Sequence, residues 1–246
     1  MDRMLYVAMS GAKQTMLAQG ANSNNITNVN TTAFHQDFSA FRAMPVYGAG
    51  LPTRVYAMAE RPATDFTPGV VQSTGRDLDI AINGDGWIAV QARDGTEAYT
   101  RAGDLHLSTG GVLTNGAGLP VLGNGGPIVI PPAEKIEIGA NGGISIRPVG
   151  QSATNLAVVD RIRLVNPDVH ELVKGADGLM RMKNAAPVEP DASVTVASGA
   201  LESSNVNPIE ALVQQITLGR QFDLQIKLMK TAEENDAVTT QMMKLS

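Results

Sequence analysis

The sequence contains no cysteine. Disulfides, thiolate zinc sites and cysteine nucleophiles are therefore excluded. Aromatic residues make up only 4% of the 246 residues, so any core has to be built mainly from Val, Ile, Leu, Ala and Met. Charged residues are sparse at 17%, and a net charge of −5 lacks the basic excess of a nucleic-acid surface. No run approaches the ~20 apolar residues of a membrane-spanning helix. The opening Met1-Asp2-Arg3 soon reaches Ser10, Lys13 and Gln14, without the apolar stretch of a cleavable signal peptide. The expectation is a protein that stays in the cytoplasm or leaves by a route that does not cleave it. Histidine occurs three times, at His35, His106 and His170, and no two stand at the spacing of a metal pair. Exposed polar positions are the simpler reading of all three.

Glycine, by contrast, is plentiful at 25 residues, and its placement follows a change of hydrophobic period along the chain. Leu5, Ala8, Met9, Ala12, Met16 and Gln19 recur at spacings of three and four, which places them on one face of a helix. Asp2 suits the positive end of that helix. Gly20 and the Asn-rich run Asn22, Asn24, Asn25, Asn28 and Asn30 weaken the helical signal, because Asn competes with the backbone for hydrogen bonds. An extended segment is expected next, through Phe34, Phe38 and Phe41 to Pro45, Gly48, Gly50 and Pro52.

From about Arg76 to about Val196 the period becomes two. Leu78, Ile80 and Ile82 alternate with Asp77, Asp79 and Ala81, so the second set is expected in solvent. Turns are predicted at Asn83-Gly84-Asp85-Gly86, Asp94-Gly95, Gly110-Gly111, Asn115-Gly116 and Asn141-Gly142. Strands are predicted around Trp87–Val90, Tyr99–Arg101, Leu113, Val121, Ile128–Ile130, Ile136–Ile138, Ile144–Ile146, Leu156–Val159, Ile162–Val165 and Val194–Val196. Turn signals at this density mark an antiparallel all-β domain. At Asn207 the period returns to helical. Asn207 suits an N-cap, Pro208 the first helical position and Glu210 a capping box. Leu212, Ile216, Gly219, Phe222, Ile226 and Met229 then form one apolar stripe.

Chemistry is hard to find. Asp77 and Asp79 lack the further oxygen ligands of a hard-cation site. Gly123-Asn124-Gly125-Gly126 lacks the Lys-Ser/Thr of a phosphate loop and precedes Pro127 and an apolar run, so it reads as a β-turn. No nucleophile, base and metal set converges as an enzyme requires. A carbohydrate- or peptide-binding β-module would leave two terminal amphipathic helices without purpose. The C-terminal stripe alone is equally compatible with packing on the chain's own β-domain and with contact between subunits.

Three segments resemble the family of flagellar rod and hook proteins. Residues Ala21-Asn22-Ser23-Asn24-Asn25-Ile26-Thr27-Asn28-Val29-Asn30-Thr31-Thr32-Ala33-Phe34 resemble its N-terminal signature. Gly84-Asp85-Gly86-Trp87, followed by Ala98-Tyr99-Thr100-Arg101-Ala102-Gly103, is similar to the opening of its β-domain. Leu201-Glu202-Ser203-Ser204-Asn205-Val206-Asn207, leading to Gly219-Arg220-Gln221-Phe222, resembles its entry to the C-terminal helix. Two departures stand out: Ala33 where the family usually has Gly, and Thr27 where it usually has Ala. If position 33 is left-handed, Ala33 is strained there by roughly 1 kcal/mol or more.

The resemblance implies a mainly β protein with terminal α-helices. An antiparallel β-domain over 76–198 is inserted between helices that pair as a coiled-coil-like assembly domain. That domain comprises residues 1–40 and 199–246, and 41–75 is expected as an extended linker. The implied function is a structural subunit of the flagellar rod, resembling a proximal-rod member most and a distal-rod member second. It would be exported uncleaved by the flagellar type III apparatus, stack helically with rod subunits and copies of itself, and transmit torque to the hook. Leu5, Met9, Ala12 and Met16 of the first helix become interface residues, with Asn25, Asn28, Val29, Asn30 and Phe34 of the signature. Asn205, Val206, Asn207, Leu212, Ile216, Phe222, Ile226 and Met229 join them from the C-terminal segment. No catalytic residue, metal, cofactor, nucleic acid or small-molecule substrate is expected. In a lone subunit the two ends should be only partly helical, or pair with each other.

Overall fold

The computed structural model describes residues 4–45, 55–59, 63–148, 157–184 and 186–245. Asp2, Gly48, Gly50, Pro52 and Leu156, all used in the sequence reading, lie outside the described residues. The chain divides into two compact units. One comprises Met1–Val29, Gln36–Asp65 and Val206–Ser246; the other comprises Asn30–His35 and Phe66–Asn205.

The first unit is built on two helices. Helix α1 spans Met4–Thr27 and α2 spans Pro208–Leu245. The sequence suggested that α1 weakens near Gly20, but it continues past Gly20 through Asn22, Asn24 and Asn25 to Thr27. Its reason lies in where the amides go. Asn22 Nδ2 donates to the Ala211 carbonyl at 2.8 Å and to Gln215 Oε1 at 2.9 Å. Asn25 donates to the Asp37 carbonyl at 2.8 Å and accepts from the Asp37 N–H at 2.9 Å. Amides with tertiary partners no longer compete with their own helix. Thr15 bonds back to the Gly11 carbonyl within the helix, and in the last turn Thr27 bonds back to the Ser23 carbonyl and Asn28 to the Asn24 carbonyl, where the helix ends.

Helix α2 starts where its cap signals place it. Asn207 Oδ1 accepts from the N–H groups of Ile209 at 3.1 Å and Glu210 at 3.4 Å, and Pro208 occupies the first turn. The helices run antiparallel, since Asn22 meets Ala211 and Gln215 while Gly11 lies against the Gln225 carboxamide. The stretch expected as an extended linker contains strands. β1 (Asp37–Phe38) pairs with β4 (Ala63–Thr64), and β2 (Phe41–Pro45) pairs with β3 (Val55–Ala59) from Phe41↔Ala59 to Pro45↔Val55. Ser10 Oγ of α1 donates to the Ala57 carbonyl of β3 at 2.9 Å.

The second unit is all-β, and its pairings among the described residues are antiparallel. Its strands are β5 (Val71–Ser73), β6 (Ile80–Asn83), β7 (Trp87–Gln91), β8 (Glu97–Thr100), β9 (His106–Leu107), β10 (Leu113–Thr114) and β11 (Ala133–Ile138). They continue with β12 (Gly143–Pro148), β13 (Ala157–Arg161), β14 (Leu164–Val165), β15 (Leu172–Lys174), β16 (Met180–Met182), β17 (Thr195–Ser198) and β18 (Ala200–Glu202). A five-stranded sheet has the order β14-β7-β8-β16-β15, and β11-β12-β13 form a three-stranded sheet.

Strand β7 separates two apolar clusters. Ile88 and Val90 join Ile80, Ile82, Leu105, Leu113, Val121, Ile128, Ile144 and Ile162 on one side. Trp87 and Ala89 join Tyr99, Val165, Leu172 and Met180 on the other. A strand covered on both faces needs a continuous apolar run rather than an alternating one, and Trp-Ile-Ala-Val is such a run. The predicted turns at Asp94-Gly95 and Asn141-Gly142 are present, with Gly95 at φ 83° and Gly142 at φ 78°. Residues 123–126 form a turn closed by the Gly123 N–H on the Gly126 carbonyl at 2.7 Å.

Two expectations do not hold. Ala81 is buried with Ile80 and Ile82, because β17 pairs along β6 and both faces are covered; the alternation of Asp77, Asp79 and Ala81 into solvent does not hold. Asp77 is exposed, but Asp79 is buried, accepts from Thr74 Oγ1 at 2.7 Å and lies 3.5 Å from Arg76. His106 and His170 are exposed as expected. His35 is buried, its ring centroid 5.2 Å from that of Trp87 and 6.2 Å from that of Phe66.

Candidate assembly interface

The terminal helices present small residues and amides inward and large apolar residues outward. The buried residues of α1 are Ala8, Ala12, Thr15, Ala18, Asn22 and Asn25. On α2 the buried positions are Ala211 and Leu218, with Gln215, Gly219, Phe222, Gln225 and Met229 half-buried at continuing helical spacing. Small residues leave room between the helices, and at Gly11 a Cβ would stand 2.9 Å from the Gln225 carboxamide that fills it.

The predicted stripes are therefore split. Ala12 and Asn25 face inward, while Leu5, Met9 and Met16 are exposed, together with Tyr6 and Leu17. On α2, Phe222 and Met229 turn toward the buried side, whereas Leu212, Ile216 and Ile226 are exposed with Val213 and Leu224. Val206 is buried and Asn207 is spent on its cap. Asn28 and Val29 are half-buried and Asn30 is exposed. The exposed large apolar residues of both helices gather on their outer faces, with Lys13 and Arg220 among them, and clusters of this kind mark interaction surfaces.

The rest of the signature belongs to the β unit. Ala33 has φ 52°, the left-handed conformation that its replacement of Gly made doubtful, and its N–H donates to the Glu202 carbonyl at 2.9 Å. The Phe34 carbonyl accepts from the Asn205 N–H at 3.1 Å, and Asn205 Nδ2 donates to the Thr67 carbonyl at 3.0 Å. Lys174 Nζ lies 4.1 Å from the Phe34 ring centroid and donates to the His35 carbonyl at 2.7 Å.

Two residues absent from the predicted interface organise this region. Arg101 is buried and donates from Nε to Glu202 Oε2 at 2.8 Å, and its other nitrogens donate to the carbonyls of Gly86 at 2.9 Å and Gly84 at 3.0 Å. Glu202 Oε1 accepts from the Gly69 N–H at 3.0 Å. One buried ion pair thus joins all three resembling motifs: the arm at Ala33, the Gly84–Trp87 turn and the Leu201–Asn207 entry. Its charges are satisfied by hydrogen bonds on every side, as burial of an ion pair demands. The available signal was that Arg101 is the one charge in Ala98–Gly103 and Glu202 the one charge in Leu201–Asn207. Nearby, burial pushes the Tyr99 hydroxyl up to about 12; the Val188 N–H it accepts, at 3.0 Å, pulls the other way. Among the described residues no group of three His, Asp or Glu could hold a metal, and no helix is long and apolar enough to cross a membrane.

An all-β unit interrupting two long terminal helices, with its apolar residues partly on the outside, is the architecture of a structural subunit. Comparison with known proteins identifies which. Residues 81–146 match the profile described as flagellar hook protein FlgE/F/G D1 domain, and residues 197–242 that of flagellar basal body rod FlgEFG protein C-terminal. The chain is 39% identical over 252 residues to the flagellar basal-body rod protein FlgF of Salmonella typhimurium, covering 100% of both. It is 38% identical over 252 residues to FlgF of Escherichia coli, again with 100% of both covered. It is 32% identical over 255 residues to the flagellar basal-body rod protein FlgG of Bacillus subtilis, covering 95% of this chain and 96% of that one. The chain belongs to the flagellar basal-body rod protein family, a family of structural proteins and not of enzymes.

Proposed function

We infer that this chain is a structural subunit of the proximal part of the flagellar rod. Full-length similarity to proteins named FlgF supports the proximal position over the distal one. The observation that carries the assembly reading is the exposed apolar strip of α1 and α2, above all Leu212, Ile216 and Ile226. Burying such side chains against neighbours contributes about 1.5–3 kcal/mol each, which gives helical stacking its driving force. In this reading the terminal helices pack with those of other rod subunits in a coiled-coil-like layer. The chain reaches its place uncleaved through the flagellar export apparatus, and the finished rod carries torque to the hook. A binding module is the poorer reading, since it leaves the outer strip of both helices without a partner.

The test is Ile226→Asp in cells lacking the native copy. A charge in a dry helical interface costs several kcal/mol unless a partner relieves it. The expected result is a soluble, exported protein, no complete rod and no swimming. Normal swimming would show that this strip is not an assembly surface.

A further inference from the structure

Helix α2 is much longer than the helix it pairs with. Gly11 lies against Gln225, so seven residues further along each helix Met4 comes level with about Ala232. From Glu233 to Lys244 every residue of α2 is exposed. This overhang is about 18 Å of helix beyond the reach of α1, and helical stability in proteins comes mostly from packing an apolar face. It still carries Val238, Met242 and Met243 in solvent. The hydroxyls of Thr239 and Thr240 return to the carbonyls of Asn235 and Asp236, at 2.8 Å each, which leaves the apolar groups to decide what the overhang does.

The same unit contains an open, mainly apolar groove of about 490 Å³. Val7 of α1, Phe41 of β2, Val55 and Tyr56 of β3 and Leu228 of α2 line it. A straight α2 carries its own overhang away from this groove. Among the described lining residues the one charged side chain is Arg42. The overhang opens with three carboxylates, Glu233, Glu234 and Asp236, and carries one cation, Lys244, near its far end. Val238 and Met242 stand four residues apart on one face, and methionine adapts to irregular apolar gaps.

We propose that the groove receives the α2 overhang of a second copy of this chain. Val238 and Met242 enter the apolar floor, and the acidic first turn of the overhang approaches Arg42. This rests on the rod-subunit reading and names the partner of one of its surfaces.

The absence of native cysteine makes disulfide trapping specific. Val7→Cys and Met242→Cys are made in separate full-length chains, mixed at high concentration and oxidised; the pair is also co-expressed and basal bodies are isolated. A disulfide requires Cα atoms within about 7 Å. The expected result is a linked dimer from the mixture that neither variant gives alone, and that Lys13→Cys, on the outward face of α1, does not give with Met242→Cys. Phe41→Asp in the Val7→Cys chain should abolish the link. No link in either preparation overturns the proposal, as does equal linking through Lys13→Cys. Failure of the rod reading has a different signature: chains that are missing from basal bodies while the purified mixture still links.

Discussion

Ala33 is where a single side chain disagrees with its backbone. At φ 52° an L-residue is disfavoured by about 1–2 kcal/mol, and its N–H is committed to Glu202, so the chain cannot relax locally. Ala33→Gly removes this strain but adds about 0.4–1 kcal/mol of unfolded-state entropy. The expected net is a modest stabilisation of the β unit, about 0.5–1 kcal/mol, read as a higher urea midpoint at unchanged slope. Tyr99 gives a pH signature. Its hydroxyl ionises at about 12 in the fold against 10.0 when free. The folded state therefore keeps a proton that the unfolded chain loses. The contribution is fully present below pH 10 and is lost as pH rises through 12. Stability measured across that window should fall in the native chain, and the fall should be shallower in Tyr99→Phe.

At the scale of elements, the termini of the helices are set by side-chain hydrogen bonds rather than by propensity. Asn207→Ala removes the acceptor for two orphan N–H groups of α2. It should weaken that helix by about 1 kcal/mol, seen as lower helicity in a peptide covering residues 203–246; unchanged helicity would place the helix start elsewhere. Strand β6 behaves oppositely to its sequence pattern. Ile80, Ala81 and Ile82 are all buried, so Ala81→Asp introduces an unpaired charge into the core. It should lower the thermal transition of the β unit severely, whereas Ile226→Asp should leave that transition within the ~0.5 kcal/mol typical of surface changes. Equal effects of the two substitutions would contradict this division of roles.

For the whole molecule, the order of elements was legible in the sequence: a helix, a β-rich middle and a capped helix follow in the order the changes of period gave. Helix α1 nevertheless runs on past Gly20 to Thr27, and the stretch expected as a linker contains strands. The turns at Asp94-Gly95 and Asn141-Gly142 and the cap at Asn207 were legible because each depends on neighbours in the chain. The membership of the flagellar rod family was legible too, from the motifs at Ala21–Phe34, Gly84–Trp87 with Ala98–Gly103, and Leu201–Asn207. Other features were decided only by tertiary structure, because each depends on residues far apart in sequence. The first part of the Asn-rich run, Asn22 to Asn25, stays helical because Asn22 reaches Ala211 and Gln215, 189 and 193 residues away. Asp79, Ala81 and His35 are inside because partners such as β17 and Trp87 cover them, which alternation and composition do not encode. The apolar stripes of α1 and α2 divide into inward and outward halves for the same reason. Periodicity fixes which residues share a helical face, but only the partner helix fixes which part of that face is already taken.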